Sequence, residues 1–247
     1  MDRLSSVLSA FRPKATSVMG RFFSEKQTSL ILSSDSSYWL YVIQGEFTFT
    51  VHGNNRVDLK DGDGVWLASG HDIDVVSKST LKNADSISEA LWLENKVVRP
   101  NNCSAELLIC EFDFGTKALN PLLDLEWQWV KVENGDEIAQ QLQPLNSLLL
   151  MESLQPRCGS QVVVERLAEA YLVQMLRLFL QTQKIQLGLF AGLSDNKLAR
   201  AIVVIHEHPS ENWQVASLAE KAGMSRSAFS GLFKKTMGMT PMSYLTS

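Results

Sequence analysis

The sequence predicts an α+β protein. It divides into an antiparallel barrel or jelly roll over residues 1–135, a helical hairpin over 136–183, a linker at 184–193 and an all-α segment over 194–247. Three observations carry this. As far as residue 114, apolar residues alternate at period two in short runs broken by Gly, Asn and Asp. After Asp136 the apolar period lengthens to that of a helix. The last fifty or so residues place small residues and a glycine at the spacing of two helices joined by a tight turn.

Residues 2–12 set Leu4, Val7, Leu8 and Phe11 at i, i+3, i+4, i+7 and stop at Pro13, which predicts a short amphipathic helix. Residues 38–43 form an apolar aromatic run, and Gln44-Gly45 turns the chain. Phe47, Phe49 and Val51 then alternate with Thr48, Thr50 and His52. Gly53-Asn54-Asn55 makes the next turn, and Val57 and Leu59 alternate with Arg56, Asp58 and Lys60. Asp61-Gly62-Asp63-Gly64 turns again into a strand starting at Val65. Residues 107–114 are a later strand, while 116–135 read as irregular, with Trp127 and Trp129 on a short extended piece.

Ile138, Leu142, Leu145, Leu148 and Leu149 mark the first hairpin helix. Val163, Leu167, Ala170, Tyr171, Gln174 and Leu178 form the expected stripe of the second, over 162–180, with the turn segment 155–160 between them. The apolar surface is larger than one side of a small barrel covers, which leaves intrachain packing and contact with another subunit both open. Polar residues 181–186 with Gly188 and Gly192 make the linker. Ser194 or Asp195 caps a helix carrying Leu198, Ile202 and Ile205, which must stop before Pro209.

Next come Leu218, Ala219 and Ala222, the break Gly223-Met224-Ser225, and a helix over 226–237 with Phe229, Leu232 and Phe233 on one face. The small Ala219 permits close helix approach, Gly223 suits a left-handed turn, and Ser225 suits an N-cap. A helix N-terminus offers free N–H groups and a positive dipole end to phosphates, so Ser225, Arg226, Ser227, Ser230, Lys234 and Lys235 are the candidate DNA-contacting residues. An ordinary helical hairpin remains open on these residues alone.

With 45% hydrophobic and 20% charged residues, the 247-residue chain is no low-complexity or disordered segment. The net charge of −4 is uneven: residues 1–192 hold 17 Lys and Arg against 23 Asp and Glu, residues 193–247 hold 6 against 4. That balance permits nucleic acid at the C-terminal segment and argues against a polyanion groove over the whole chain. Cys103, Cys110 and Cys158 contain no CxxC pair, and reduced thiols in the cytosol are expected. The N-terminus lacks the apolar core of a signal peptide, no run approaches a membrane span, and a cytoplasmic protein is expected.

The segment WQVASLAEKAGMSRSAFSGLFKKTMGMTPMSYL resembles the first half of the AraC/XylS-family DNA-binding domain, above all in GMSRSAF and TPMSYL. Upstream, VMGRFF, WLYVIQGEFTFTV, GDGVWLASG and ERLAEAYLVQMLRLFL resemble the cupin-like N-terminal domain of one branch of that family. The resemblance implies a sequence-specific DNA-binding transcription regulator with a small-molecule pocket in the cupin-like domain. Arg21 would be its charged anchor, beside Trp39, Tyr41, Phe49 and Trp66. Double-stranded DNA, an effector and a second copy of the chain are the implied partners.

Two departures qualify this. The family's second helix-turn-helix is expected beyond Ser247, so the DNA-binding domain is expected to be truncated. Gly231 stands where the family places a polar or basic side chain, which predicts weak base reading. The alternative is therefore a ligand-binding or subunit-interaction protein without autonomous operator binding. No catalysis, cofactor or metal is expected. The barrel strands lack an HxH pair with a following Glu, His52 and His71 stand apart, and no GxSxG elbow is present.

Overall fold

The computed structural model describes residues 4, 5, 8, 13–23, 29–51, 55–68, 72–78, 103–113, 129–154, 157–182 and 188–246. The expected helix at 2–12, the turn at Gly53, His52, His71 and Trp127 lie largely or wholly outside them. Among the described residues the strands are β1 (Lys14–Phe23), β2 (Ser29–Leu32), β3 (Ser37–Gln44), β4 (Phe47–Val51), β5 (Asn55–Leu59), β6 (Gly64–Leu67), β7 (Ile73–Ser77), β8 (Ala105–Asp113) and β9 (Trp129–Val132). The described helices that follow them are α1 (Glu137–Leu154), α2 (Ser160–Thr182), α3 (Leu189–Ser194), α4 (Leu198–Glu207), α5 (Val215–Lys221), α6 (Arg226–Met237) and α7 (Pro241–Thr246). Two compact units result, one of Lys14–Asp113 with Trp127–Met175, the other built on Leu176–Ser247.

In the first unit the strands pair antiparallel in two sheets, ordered β1-β8-β3-β6-β9 and β2-β7-β4-β5. Alternation along the strands fills the space between the sheets with Leu40, Val42, Phe47, Phe49, Val65, Leu107 and their neighbours. Phe23 and Phe47 meet edge to face, centroids 4.9 Å apart. Positive φ at Gly45 (98°) and Gly62 (80°) makes the two turns read from the sequence. The five-stranded sheet is apolar on its other face too, where Trp39, Trp66, Cys110 and Phe112 are buried. Burial on both faces obliges a second layer, and α1 and α2 supply it: Tyr171 of α2 meets Trp39, centroids 5.6 Å apart.

Four sequence expectations need correction. The extended piece at Trp129 is β9, a strand paired to β6 from Gly64↔Val132 to Leu67↔Trp129, because that edge of the sheet was free to take one. The stripe of α2 is turned: Val164, Ala168, Tyr171, Leu172 and Met175 are buried, while Val163 is 44% exposed. The helix is apolar on several sides, so periodicity alone leaves its inward face undetermined. On α1 the buried set is Ile138, Leu142, Asn146 and Leu149, and Leu148 is exposed.

The linker at 184–193 contains a helix, α3, with Leu189, Ala191 and Leu193 buried. Its glycines do packing work. A Cβ on Gly192 would lie 2.5 Å from Ile202 Cδ1 and 2.6 Å from Met237 Sδ, so glycine there lets α3 pack against α4 and α6. Gly188 donates its N–H to the Thr236 carbonyl at 2.8 Å. The division between the two units falls inside α2, after Met175.

Candidate functional site

In the second unit, α5 ends as its sequence requires. Met224 N–H bonds to Ala219 O and Gly223 N–H to Glu220 O, both at 2.9 Å, with Gly223 at φ 66°. That is a Schellman termination, satisfying two carbonyls that the helix end would otherwise leave bare. Ser225, extended at φ −67° and ψ 152°, then caps α6, its Oγ accepting the Ala228 N–H at 3.3 Å. Leu218, Ala219, Ala222, Phe229, Phe233 and Met237 close the core between the helices. Gly238 ends α6 at φ 76°, and Thr240 caps α7 by accepting the Ser243 N–H at 3.1 Å, with Pro241 in the first turn.

α6 buries Phe229, Phe233 and Met237, and its opposite face carries Ser227, Lys234 and Lys235, while Arg226 lies in the first turn on the side of Phe229 and Ser230 flanks it. Ser225, Arg226, Ser227, Lys234 and Lys235 are exposed and Ser230 is half-buried. Among the described residues none of the three cations takes part in an ion pair. Arg226 stands at the positive end of the helix dipole and Lys234 and Lys235 at the negative end, about 12 Å along the axis. Gly231 lies at the middle of this face, and a Cβ there would meet nothing within 4 Å.

His206 Nε2 and Tyr244 Oη are 2.7 Å apart, tying α4 to α7. Burial pushes the His206 pKa down to about 4.

The five residues expected to line an effector pocket are not brought together, because the five-stranded sheet runs between them. Arg21 pairs with Leu107 across β1 and β8 and so shares the interior-facing side; its Nε is buried without a hydrogen-bond partner among the described residues. Phe49 is fully buried between the sheets. Trp39, Tyr41 and Trp66 belong to the opposite, helix-covered face by alternation. Trp66 is packed against Phe112 there, centroids 5.8 Å apart. Trp39 and Tyr41 line a cavity of about 100 Å³ between the sheet and α1, together with Asn146 and Tyr171.

Sequence reasoning missed Asn146, although a signal existed, a polar residue in register with Ile138, Leu142 and Leu149. Among the described residues no group of three His, Cys, Asp or Glu side chains is placed to hold a metal ion. Burial pushes the Cys110 thiol up to about 12. No helix among the described residues is long and apolar enough to cross a membrane.

Compared with known proteins, residues 2–181 match the cupin family, and residues 205–246 match the bacterial regulatory helix-turn-helix proteins of the AraC family. An AraC-like transcription regulator of Streptomyces antibioticus is 31% identical over 208 residues, 83% of this chain and 69% of the relative. The chain belongs to the AraC family of transcription regulators. A second such regulator, from Streptomyces lividans, is 31% identical over 192 residues, 77% of this chain and 63% of its own. Crystalline ToxT of Vibrio cholerae with an unsaturated fatty acid aligns over 94% of this chain and 96% of its own, at 12% identity and a TM-score of 0.34, too low to bear on function. Within this AraC-family regulator the motif GMSRSAF occupies the α5–α6 turn with the start of α6, and TPMSYL the cap and most of the length of α7.

Proposed function

We propose that this regulator binds duplex DNA through α6, the helix N-terminus and Ser225 facing a phosphate and Ser227, Ser230 and Arg226 facing the major groove. Lys234 and Lys235 neutralise further phosphates. The observation that carries this is the capped N-terminus of α6 with Arg226 in its first turn and Lys234 and Lys235 in its last, three exposed cations that no acidic partner engages among the described residues. The protein acts in the cytoplasm, as a homodimer, with the barrel unit sensing a small molecule. The sensory role draws on Trp39 and Tyr41, which line the helix-side cavity, while Arg21 and Phe49 lie on the other face of the sheet and Trp66 is packed against Phe112 outside that cavity.

Fluorescence anisotropy on a promoter fragment and a scrambled duplex at two salt concentrations tests the reading. About three phosphate contacts give a salt slope of roughly −2.7, and Lys234→Ala should reduce it by about one. Weak discrimination between the duplexes is expected, since only Arg226 among the groove-facing side chains has reach. One observation favours a second reading, a ligand-binding or subunit-interaction protein: Gly231 leaves the middle of the exposed face bare. No binding to either duplex at low salt would overturn the first reading in favour of the second.

A further inference from the structure

The face that α6 turns away from its core is made of small residues. With Phe229, Phe233 and Met237 buried, the helical repeat brings Ser227, Ala228 and Gly231 to the other side over the first two turns, and all three are exposed. A Cβ at Gly231 would meet nothing within 4 Å. The Ser227 hydroxyl lies 3.4 Å from that of Ser225, whose Oγ caps the helix, so it is engaged at the helix start. Arg226 leaves the first turn on the side of Phe229, and Lys234 and Lys235 stand in the last turn. Between them the face presents a methyl, a hydroxymethyl and bare backbone.

In the major groove such a face is restricted in what it can read. Hydrogen bonds to base edges come from long polar side chains, and Ala228 and Gly231 carry no side-chain donor or acceptor. Their shortness lets the helix backbone come nearer the groove floor than the usual overall helix diameter of about 10–12 Å allows. The apolar group that a base offers on that floor is the C5 methyl of thymine. Removing this methyl from water against the Ala228 side chain and the Gly231 backbone is favourable without any polar partner. Lys234 and Lys235 contribute phosphate contacts that position the helix and carry no sequence information.

We propose that α6 reads its DNA chiefly through pyrimidine C5 methyl groups seated against Ala228 and Gly231, which makes Gly231 a specificity-determining position and not a gap in the contact surface. DNA as the ligand follows from the AraC-family helix-turn-helix match of this segment, not from the small residues. The inference rests on the proposed docking of α6 in the major groove and names what the docked helix recognises. Burying one methyl is worth about fourfold in affinity, a small preference of the kind expected where Arg226 is the one long polar side chain near the helix start. Since the methyl and not the base pair is read, 5-methylcytosine should serve as thymine does.

The test uses the full chain and two pairs of short duplexes that differ only at C5 of the pyrimidines: adenine–thymine against adenine–uracil, and mixed-order guanine–cytosine with and without 5-methylcytosine. Fluorescence anisotropy at low salt should find the methylated member of each pair bound about fourfold more tightly. Gly231→Gln fills the bare position with a side chain whose hydrogen bonds treat thymine and uracil alike, and should bring both ratios to about one. It should leave the salt slope unchanged and the thermal melt no lower, since no charge is altered and glutamine suits a helix better than glycine. Ala228→Gln, three residues after the Ser225 cap where glutamine can complete a capping box, should lower both ratios and serves if the first variant does not fold. Equal affinity for both members of a pair in the parent, a methyl preference in one pair only, or an undiminished preference in a folded variant would each overturn the proposal. Binding to all the duplexes with the expected salt slope and no methyl preference overturns this inference and leaves DNA binding standing, whereas no binding to any duplex overturns both.

Discussion

Gly231 and Gly223 make a paired test of what the helix-turn-helix backbone requires. At both, a Cβ would meet nothing within 4 Å, so added bulk is neutral and only the backbone differs. Gly231 is inside α6; Gly223 sits at φ 66°. An alanine at Gly231 removes unfolded-chain freedom and should stabilise α6 by about 1 kcal/mol. An alanine at Gly223 must hold a left-handed conformation and should destabilise the turn by roughly 1–2 kcal/mol. Amide hydrogen exchange in the full chain reads both, since the amides of residues 229–235 report opening of α6. In Gly231→Ala they should exchange about fivefold more slowly, and in Gly223→Ala roughly five- to thirtyfold faster. A shift of the same sign in both variants would refute the reasoning, because it would mean that neighbouring atoms, not φ, decide these positions.

Stability should also fall with acid through His206. Its folded pKa of about 4 lies below the ordinary 6.5, so the unfolded chain binds the proton first; stability is whole above pH 6.5 and is lost as pH falls toward 4. The loss is on the order of 2–3 kcal/mol, and pH-dependent urea melts of His206→Gln should lack it. Gly64→Ala should destabilise the barrel unit by about 1–3 kcal/mol, since the buried Trp39 indole it meets must shift from its seat against β6; a melting temperature equal to that of the parent would contradict this. Val162 is 61% exposed and, with Leu148, Met151 and Val163, makes an apolar surface on the hairpin. Val162→Glu should halve the mass measured by light scattering if that surface joins two copies, and an unchanged mass with an intact fold would place the dimer contact elsewhere.

The helix-turn-helix was legible because its signals are local. Gly223, Ser225 and Phe229 act through bonds and contacts a few residues apart, and the turn at Gly62 obeys the same kind of rule. Alternation in Phe47, Phe49 and Val51 likewise required a strand with one face inside. What the sequence by itself determined was therefore the order and kind of most elements, the caps, and the face of α6 that is buried. Only the tertiary structure decided which side of α2 turns inward, that β9 completes a sheet, that Gly192 is a packing contact, and that Trp39, Asn146 and Tyr171 meet. Each of these depends on a partner tens of residues away, and a side chain that suits several faces is assigned to one of them only by the surface it packs against.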